Sequence, residues 1–144
     1  MPVMIKKFML VIGVITIVLA SLLLGLVVYD YLNRPQMVAN ILNISIIPGS
    51  LEVVACESPF TTDVLTTCIV KVDPQDFPLL LAGYQFSTRI VNTTSHLAIG
   101  HKIGQEFEVA TEYMVEPVQF KHGGYVRLLA DKSNKNVVVD LYKE

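Results

Sequence analysis

The sequence predicts an α+β fold: a single N-terminal transmembrane helix followed by a small, mostly antiparallel β-sheet domain with one short packing helix. Three observations predict it. Residues 8–28 are apolar and carry no charge. Short β-branched runs, bounded by glycine, proline and polar residues, fill most of the chain after residue 48, a pattern typical of strands. Residues 73–83 alone in that part of the chain carry helix signals, so the order β-β-α-β-β-β does not match a parallel doubly wound sheet.

The apolar run is long enough to cross a bilayer. Its 21 residues would span about 31 Å as a helix, close to the ~30 Å thickness of the hydrocarbon core. A buried helix of a soluble domain seldom runs so far without a polar face. We therefore predict a signal-anchor helix over residues 8–28, in contact with the lipid bilayer.

The charges beside the run predict its orientation. Lys6 and Lys7 precede it, and Asp30 is the first charge after it. Because the positive end stays in the cytoplasm, we expect a single-pass protein with a cytoplasmic tail at 1–7, a juxtamembrane segment at 29–47 and an extracytoplasmic domain at 48–144, periplasmic if the source is bacterial. Signal-peptide cleavage after Ala20 is the competing interpretation, but it would leave an exposed apolar N-terminus, and the run exceeds the usual 7 to 15 residues.

Charge and cysteine content describe the translocated part. Residues 29–144 hold all 13 acidic and nine of the 11 basic residues, a net charge of 9 − 13 = −4, which argues against a nucleic-acid partner. Cys56 and Cys68 predict one disulfide in an oxidising compartment, stabilising by about 3 kcal/mol. Two buried thiols, or half of a metal site, are the alternatives. The disulfide would place Val54 opposite Val70 on a neighbouring strand.

The segments before the first strands have recognisable boundaries. Pro35 can begin a short helix that runs to about Ile41, with Asn33 as its cap. Pro48-Gly49 predicts a turn, and strands follow at 51–56 and 64–72. Residues 73–83 predict either a helix with Gly83 at a left-handed exit, or a tight turn over 73–77 and then a short helix, because Pro78 opposes helical geometry before it. Four apolar residues would pack this segment on the sheet: Phe77, Leu79, Leu80 and Leu81.

The second half predicts four more strands and one short strand among them. They lie at 84–91, 97–99, 106–115, 125–130 and 136–142, and the last two form a hairpin around residues 131–135. In the strand at 106–115, simple alternation turns some residues outward (Glu106, Glu108, Glu112) and others inward (Phe107, Val109, Tyr113).

The hairpin has a predicted register. With its turn centred on Ser133-Asn134, Leu128 faces Val139 and Arg127 faces Asp140. One side is then wholly apolar, with Val126 opposite Leu141 and Ala130 opposite Val137, and must face the core. The other side pairs Leu129 with Val138, and we expect Arg127 and Asp140 there as an exposed ion pair worth about 0 to 1 kcal/mol.

No residues of the chain form a recognisable catalytic, cofactor or metal motif. His96 and His101 lie in a polar loop at a spacing that misses helical zinc ligands. His122-Gly123-Gly124 has no accompanying GxSxG and is interpreted as turn chemistry. Four glutamates are interpreted as solvated: Glu106, Glu108, Glu112 and Glu116. Asn43-Ile44-Ser45 and Asn92-Thr93-Thr94 are glycosylation sequons that matter in a eukaryotic source only.

The features that remain favour a non-enzymatic role. Ser21 and Gly25 form a small-xxx-small pair, a candidate helix–helix contact. We expect a membrane-anchored extracytoplasmic domain that acts as a protein-binding or accessory subunit of the cell envelope, with a protein partner or a homo-oligomer and no cofactor. The alternatives are a small anchored hydrolase, using His122 or His96 with an acidic residue, and a ligand-sensing domain.

Overall fold

The computed structural model describes residues 2–59, 63–94 and 103–144, without the side chains of residues 2–7 and 92–94. The chain divides into two compact units, Met1–Asn33 and Arg34–Glu144. One helix, α1 (Pro2–Leu42), belongs to both units.

The first unit consists of the turns of α1 up to Asn33. From Phe8 onward its large apolar side chains are exposed on every side of the helix. By length and composition this helix could cross a membrane.

α1 continues through the position where a second helix was predicted to begin. Pro35 lies inside it, and the amide Nδ2 of Asn33 donates to the carbonyl of Tyr29 at 2.8 Å. The predicted short helix with Asn33 as its cap is therefore wrong. Proline lacks a backbone N–H, so Pro35 removes one hydrogen bond of the helix. α1 nevertheless continues through this position, and Pro35 does not begin a new helix.

The C-terminus of α1 is closed by a Schellman motif. Asn43 has a φ of 54°, and its N–H donates to the carbonyl of Asn40 at 3.3 Å. The N–H of Ile44 donates to the carbonyl of Ala39 at 3.0 Å. Both bonds satisfy carbonyls that the helix leaves without an internal donor.

The last turns of α1 are part of the folded core. Val38, Ala39, Ile41 and Leu42 are buried, so the compact unit begins at Arg34 and not at Pro48, where the sequence placed the start of the domain. Positions 38, 41 and 42 form one apolar stripe of a helix, and this stripe packs on the sheet.

Six strands form a single antiparallel sheet in the order β1-β2-β6-β5-β4-β3. This confirms an α+β architecture with one short helix, α2 (Phe77–Leu80). The predicted strand at 97–99 lies outside the described residues. The bounds of the strands are β1 (Glu52–Glu57), β2 (Val64–Lys71), β3 (Ser87–Thr94), β4 (Glu108–Val115), β5 (Gly124–Ala130) and β6 (Asn136–Lys143).

The sheet has apolar side chains on both faces. The main core lies between one face, the last turns of α1 and α2, with Leu128, Val139 and Leu80 fully buried. A smaller cluster occupies part of the opposite face, formed by Ile69, Val109, Leu129 and Val138 with Val91, Ile103 and Phe107. Val109 and Tyr113 were predicted to point inward together, but Tyr113 packs on the main core and Val109 in the smaller cluster.

The segment at 73–83 adopts the second of its two predicted forms, a turn followed by the short helix α2. Phe77 and Leu80 are buried, as predicted. Leu79 is 37% exposed, so the prediction that it packs in the core is wrong. Gly83 has no positive φ, so the left-handed exit is wrong. A Cβ at Gly83 would lie 1.9 Å from the carbonyl oxygen of Leu42, so glycine is required there by close approach to the end of α1.

A disulfide joins Cys56 of β1 to Cys68 of β2, as predicted, and these two residues are direct cross-strand partners. Val70, however, faces Val53 and not Val54. Val54 occupies a β-bulge, an extra residue that shifts the register on one strand. The cysteine spacing alone could not show this shift.

The β5–β6 hairpin has the predicted register throughout. Leu128 pairs with Val139, and Arg127 pairs with Asp140. Asn134 in the turn has a φ of 57°, a left-handed backbone conformation that asparagine adopts more readily than most residues.

Candidate functional site

A row of polar side chains crosses the sheet on the face opposite α2. Thr67, Asp140 and Arg127 are successive cross-strand neighbours on β2, β6 and β5. Glu112 of β4 and Arg89 of β3 are paired one step further along. Because alternate residues of a strand share a face, these five side chains point the same way. We call them the charged row.

The inner half of the charged row, Thr67 and Asp140, is buried. Asp140 has no exposed surface, and its Oδ1 accepts a 2.6 Å hydrogen bond from the Thr67 hydroxyl. Its Oδ2 accepts from the Nε of Arg127 at 3.2 Å and also contacts Nη2. The expected exposed ion pair is therefore wrong: the register is as predicted, but the neighbouring strands β2 and β4 enclose the pair.

Burial and pairing act on Arg127 in opposite directions. Loss of solvent lowers the pKa of the guanidinium, but the hydrogen bond and the charge of Asp140 outweigh this and raise the pKa. A buried charge is tolerated when it is paired and hydrogen-bonded in this way. The guanidinium carbon also lies 5.4 Å from the centre of the Tyr125 ring, within the range of a cation–π contact.

The outer half of the row reaches the edge of the sheet. The Nε of Arg89 donates to Oε2 of Glu112 at 2.8 Å, and Nη1 of Arg127 lies 3.8 Å from the other carboxylate oxygen. Glu112 was predicted to be solvated, but it is 7% exposed, because Arg89 and Arg127 flank it. The side chain of Arg89, by contrast, is 73% exposed.

Two tyrosines lie next to the inner half. The rings of Tyr125 and Tyr142 are 5.6 Å apart at directly paired positions of β5 and β6. Burial raises the pKa of the Tyr125 hydroxyl, the charge of Arg127 lowers it and that of Asp140 raises it, with a net rise. Tyr125 therefore keeps its proton at neutral pH and contributes an aromatic surface beside Arg127.

This chemistry suits recognition better than catalysis. Both carboxylates are engaged by guanidinium groups, so neither is poised to accept a proton from a substrate. Two arginines and two carboxylates cancel in charge, and the row ends in one exposed guanidinium on the edge strand β3. Among the described residues, no group of three or more histidine, cysteine or acidic side chains could hold a metal ion.

The other residues singled out by sequence are not members of the charged row. Ser21 donates its hydroxyl to the carbonyl of Ile17 at 2.9 Å, and a Cβ at Gly25 would meet nothing within 4 Å, so their helix contact stays a prediction. His122 lies in the exposed turn before β5. Glu106, Glu108 and Glu116 are exposed, whereas His96 and His101 lie outside the described residues.

Two of the concave regions formed by the described residues lie outside the row, and neither brings together more than two ionisable side chains. A cleft of about 250 Å³ lies between the β1–β2 edge and the segment before β4, lined by residues that include Lys71 and Glu106. A smaller groove of about 120 Å³ lies between the segment that follows α1 and α2, lined by Ile46 and Leu79 among others.

One pair of the charged row is predictable from the sequence, and its other three members are not. Arg127 and Asp140 followed from the hairpin register, because a short turn determines it. Thr67 meets Asp140 across 73 residues of sequence, because β2 pairs with the last strand. Arg89 and Glu112 lie on consecutive strands but 23 residues apart, and a connection of that length sets no register. Comparison of the chain with models of protein families, with curated proteins and with solved structures finds no match.

Proposed function

We propose that this chain is a single-pass membrane protein whose α1 helix anchors residues 34–144 on the extracytoplasmic side. There the folded unit binds another protein or serves as an accessory subunit of the cell envelope. The observation that carries the proposal is a helix long and apolar enough to cross a membrane, whose large apolar side chains from Phe8 to Leu32 are exposed.

Polar groups within the apolar stretch are suited to lipid. The hydroxyls of Thr16 and Ser21 donate to carbonyls four residues earlier, both at 2.9 Å, so neither would enter the bilayer without a partner. Tyr29 and Tyr31 follow the stretch and are 70% and 60% exposed. Tyrosine favours the membrane–water interface, which supports a boundary near residue 30.

The side of the membrane is supported by two independent features. Lys6 and Lys7 precede the apolar stretch, and the positive end of a span stays in the cytoplasm. The disulfide between Cys56 and Cys68 is typical of an oxidising compartment. Both features favour a folded unit outside the cytoplasm.

A binding role is supported by the charged row. Its two carboxylates are paired with arginines, and its exposed member is Arg89. The half-buried rings of Tyr125 and Tyr142 lie beside the row. Arginine and tyrosine are enriched where proteins bind other proteins. A cell-envelope protein with this surface is best explained as a subunit or a docking module.

A topology experiment tests the anchor. A reporter enzyme that is active only outside the cytoplasm, fused after Glu144, should be active, and the same reporter fused after Lys7 should not. The protein should stay in membranes after alkaline extraction. Replacing Val18 and Leu19 with arginine should release it, since each arginine costs about 2.5 to 3.5 kcal/mol at the centre of a span. A mature N-terminus at Ser21, or release of the unaltered protein, would contradict the proposal.

A further inference from the structure

We propose that β3 receives an extended segment of another protein as a seventh strand, with a carboxylate of that segment placed against Arg89. The inference rests on the proposed binding function and names the edge and the chemistry of the partner. Addition of a strand to an open sheet edge is a common mode of recognition, in which backbone hydrogen bonds supply affinity and side chains supply specificity.

The two edges of the sheet differ in how they are protected. β1 has six residues, a bulge at Val54 and a glutamate at each end, all features that discourage pairing with another chain. β3 is longer, and its own register irregularity comes after Ile90, so it pairs regularly with β4 from Ser87 to Ile90. Those four residues are exposed, and Ile90 is 89% exposed. β3 is therefore the edge suited to an incoming strand.

Charge defines the partner. The stretch 77–105, which contains β3, has no acidic residue and carries Arg89 and Lys102. The chain from residue 29 onward has a net charge of 9 − 13 = −4, so this stretch is a basic exception. Two copies joined through β3 would bring a second Arg89–Glu112 pair and no additional acceptor, so the remaining N–H donors of Arg89 would stay without a carboxylate. An acidic extended segment has the complementary charge.

Arg89 is oriented so that it can bind such a carboxylate. Its Nε donates to Glu112, which is nearly buried between two arginines. A guanidinium has five N–H donors, more than one carboxylate accepts, and this one is mostly exposed. Because Glu112 orients the group before binding, less side-chain entropy is lost when a partner docks.

A selection experiment with random peptides tests the proposal. The full chain, held in lipid nanodiscs of zwitterionic lipid, is exposed to a display library of random eight-residue peptides. We expect enriched sequences to combine Asp or Glu with β-branched residues and to lack proline. Against Arg89→Glu, the same library should yield basic peptides. The best acidic peptide should bind Arg89→Gln at least about tenfold more weakly, the loss of one charge-assisted hydrogen bond.

A matched variant and a backbone measurement sharpen the result. Lys132→Gln makes the same change of charge in the exposed β5–β6 turn and should leave peptide affinity unchanged. Amide hydrogen exchange should slow at residues 87–91 when the peptide binds, and should not slow in β1. This pattern distinguishes strand addition from a salt bridge made by side chains alone.

Four outcomes would overturn the proposal. They are the absence of enriched peptides, enrichment without acidic residues, equal affinity for Arg89→Gln and the unaltered protein, and protection outside β3. Ready formation of a disulfide-linked dimer by Ile90→Cys would show that a second copy occupies the edge instead. Membrane anchoring does not involve Arg89, so alkaline extraction of Arg89→Gln shows whether a failure concerns the edge or the anchor.

Discussion

Arg127 connects two carboxylates from neighbouring strands, and one of them is fully buried. Asp140 receives hydrogen bonds from both Arg127 and Thr67, so its charge is compensated although no solvent reaches it. Such a pair adds little net stability over an apolar pair of the same shape, but losing one member is costly. A substitution at the buried end of the charged row should therefore cost more stability than one at the exposed end.

Replacing Arg127 with methionine should therefore lower the free energy of unfolding by about 3 to 5 kcal/mol, because it leaves Asp140 buried without its cation. The measurement is urea unfolding of the full chain in detergent, followed by circular dichroism of the folded unit. Arg89→Met at the exposed end should cost no more than about 1 kcal/mol.

The double variant Arg127→Met with Asp140→Leu provides the control. Removing both charges should recover part of the loss, since no uncompensated carboxylate remains. Equal losses for Arg127→Met and Arg89→Met would show that Asp140 is not isolated in the way the structure indicates.

The β5–β6 turn is organised by one carboxylate. Asp131 accepts from the N–H of Lys135 and from the Ser133 hydroxyl through Oδ1, both at 2.9 Å, and from the amide of Asn136 through Oδ2 at 2.7 Å. Partial burial acts to raise the pKa of Asp131, but these hydrogen bonds outweigh it and lower the pKa. The turn therefore depends on the ionised form.

Asp131→Asn should destabilise the hairpin by about 1 kcal/mol at neutral pH, because an amide cannot accept on both sides. A carboxyl whose pKa falls on folding contributes stability above its unfolded value of about 3.9, and that stability is lost as the pH falls through the folded pKa. The difference from the unaltered protein should shrink below about pH 4. Thermal unfolding across pH measures it, and Lys132→Ala should leave the profile unchanged.

The β1–β2 pair is held by its disulfide. Removing it by Cys56→Ala with Cys68→Ala should lower the free energy of unfolding by about 3 kcal/mol, since the unfolded chain regains the freedom of a short loop. Reduction of the unaltered protein should have a similar effect. Peptide mapping without reductant should find the two peptides linked. Alkylation of both cysteines in native, unreduced protein would contradict the bond.

At the scale of the whole molecule, one contact joins the end of α1 to the segment after α2. A Cβ at Gly83 would lie 1.9 Å from the carbonyl of Leu42 and 2.6 Å from that of Asn43. The side-chain amide of Asn43 donates to the carbonyl of Gly83 at 3.2 Å. Because Leu42 is fully buried in the core, this contact determines how closely α1 packs on the sheet.

Gly83→Ala should destabilise the protein by about 1 to 3 kcal/mol or more, because backbone atoms at both sides must shift. Gly49→Ala is the matched control. A Cβ there meets nothing within 4 Å, so its effect should stay within about 0.5 kcal/mol. Thermal unfolding of both variants compares them, and similar midpoints would argue against close approach at Gly83.

The sequence by itself determined the features that depend on neighbours along the chain. The apolar stretch, the disulfide partners and the β5–β6 register all follow from features close together in the sequence. In the hairpin, alternation and the turn allow one register only, since a slip of one residue moves every apolar side chain to the other face. Within the described residues, the predicted strands agree with those observed to within a few residues at their ends.

Only the tertiary structure decided what distant segments do to each other. The pairing of β2 with β6 enclosed Asp140, and the pairing of β3 and β5 with β4 enclosed Glu112, so two charges that pattern assigned to solvent are buried. The last turns of α1 pack in the core, and a bulge shifts Val54 out of its predicted pairing with Val70. Burial is a property of the assembled surface and not of local spacing, and the free energy of a charge depends on burial above all.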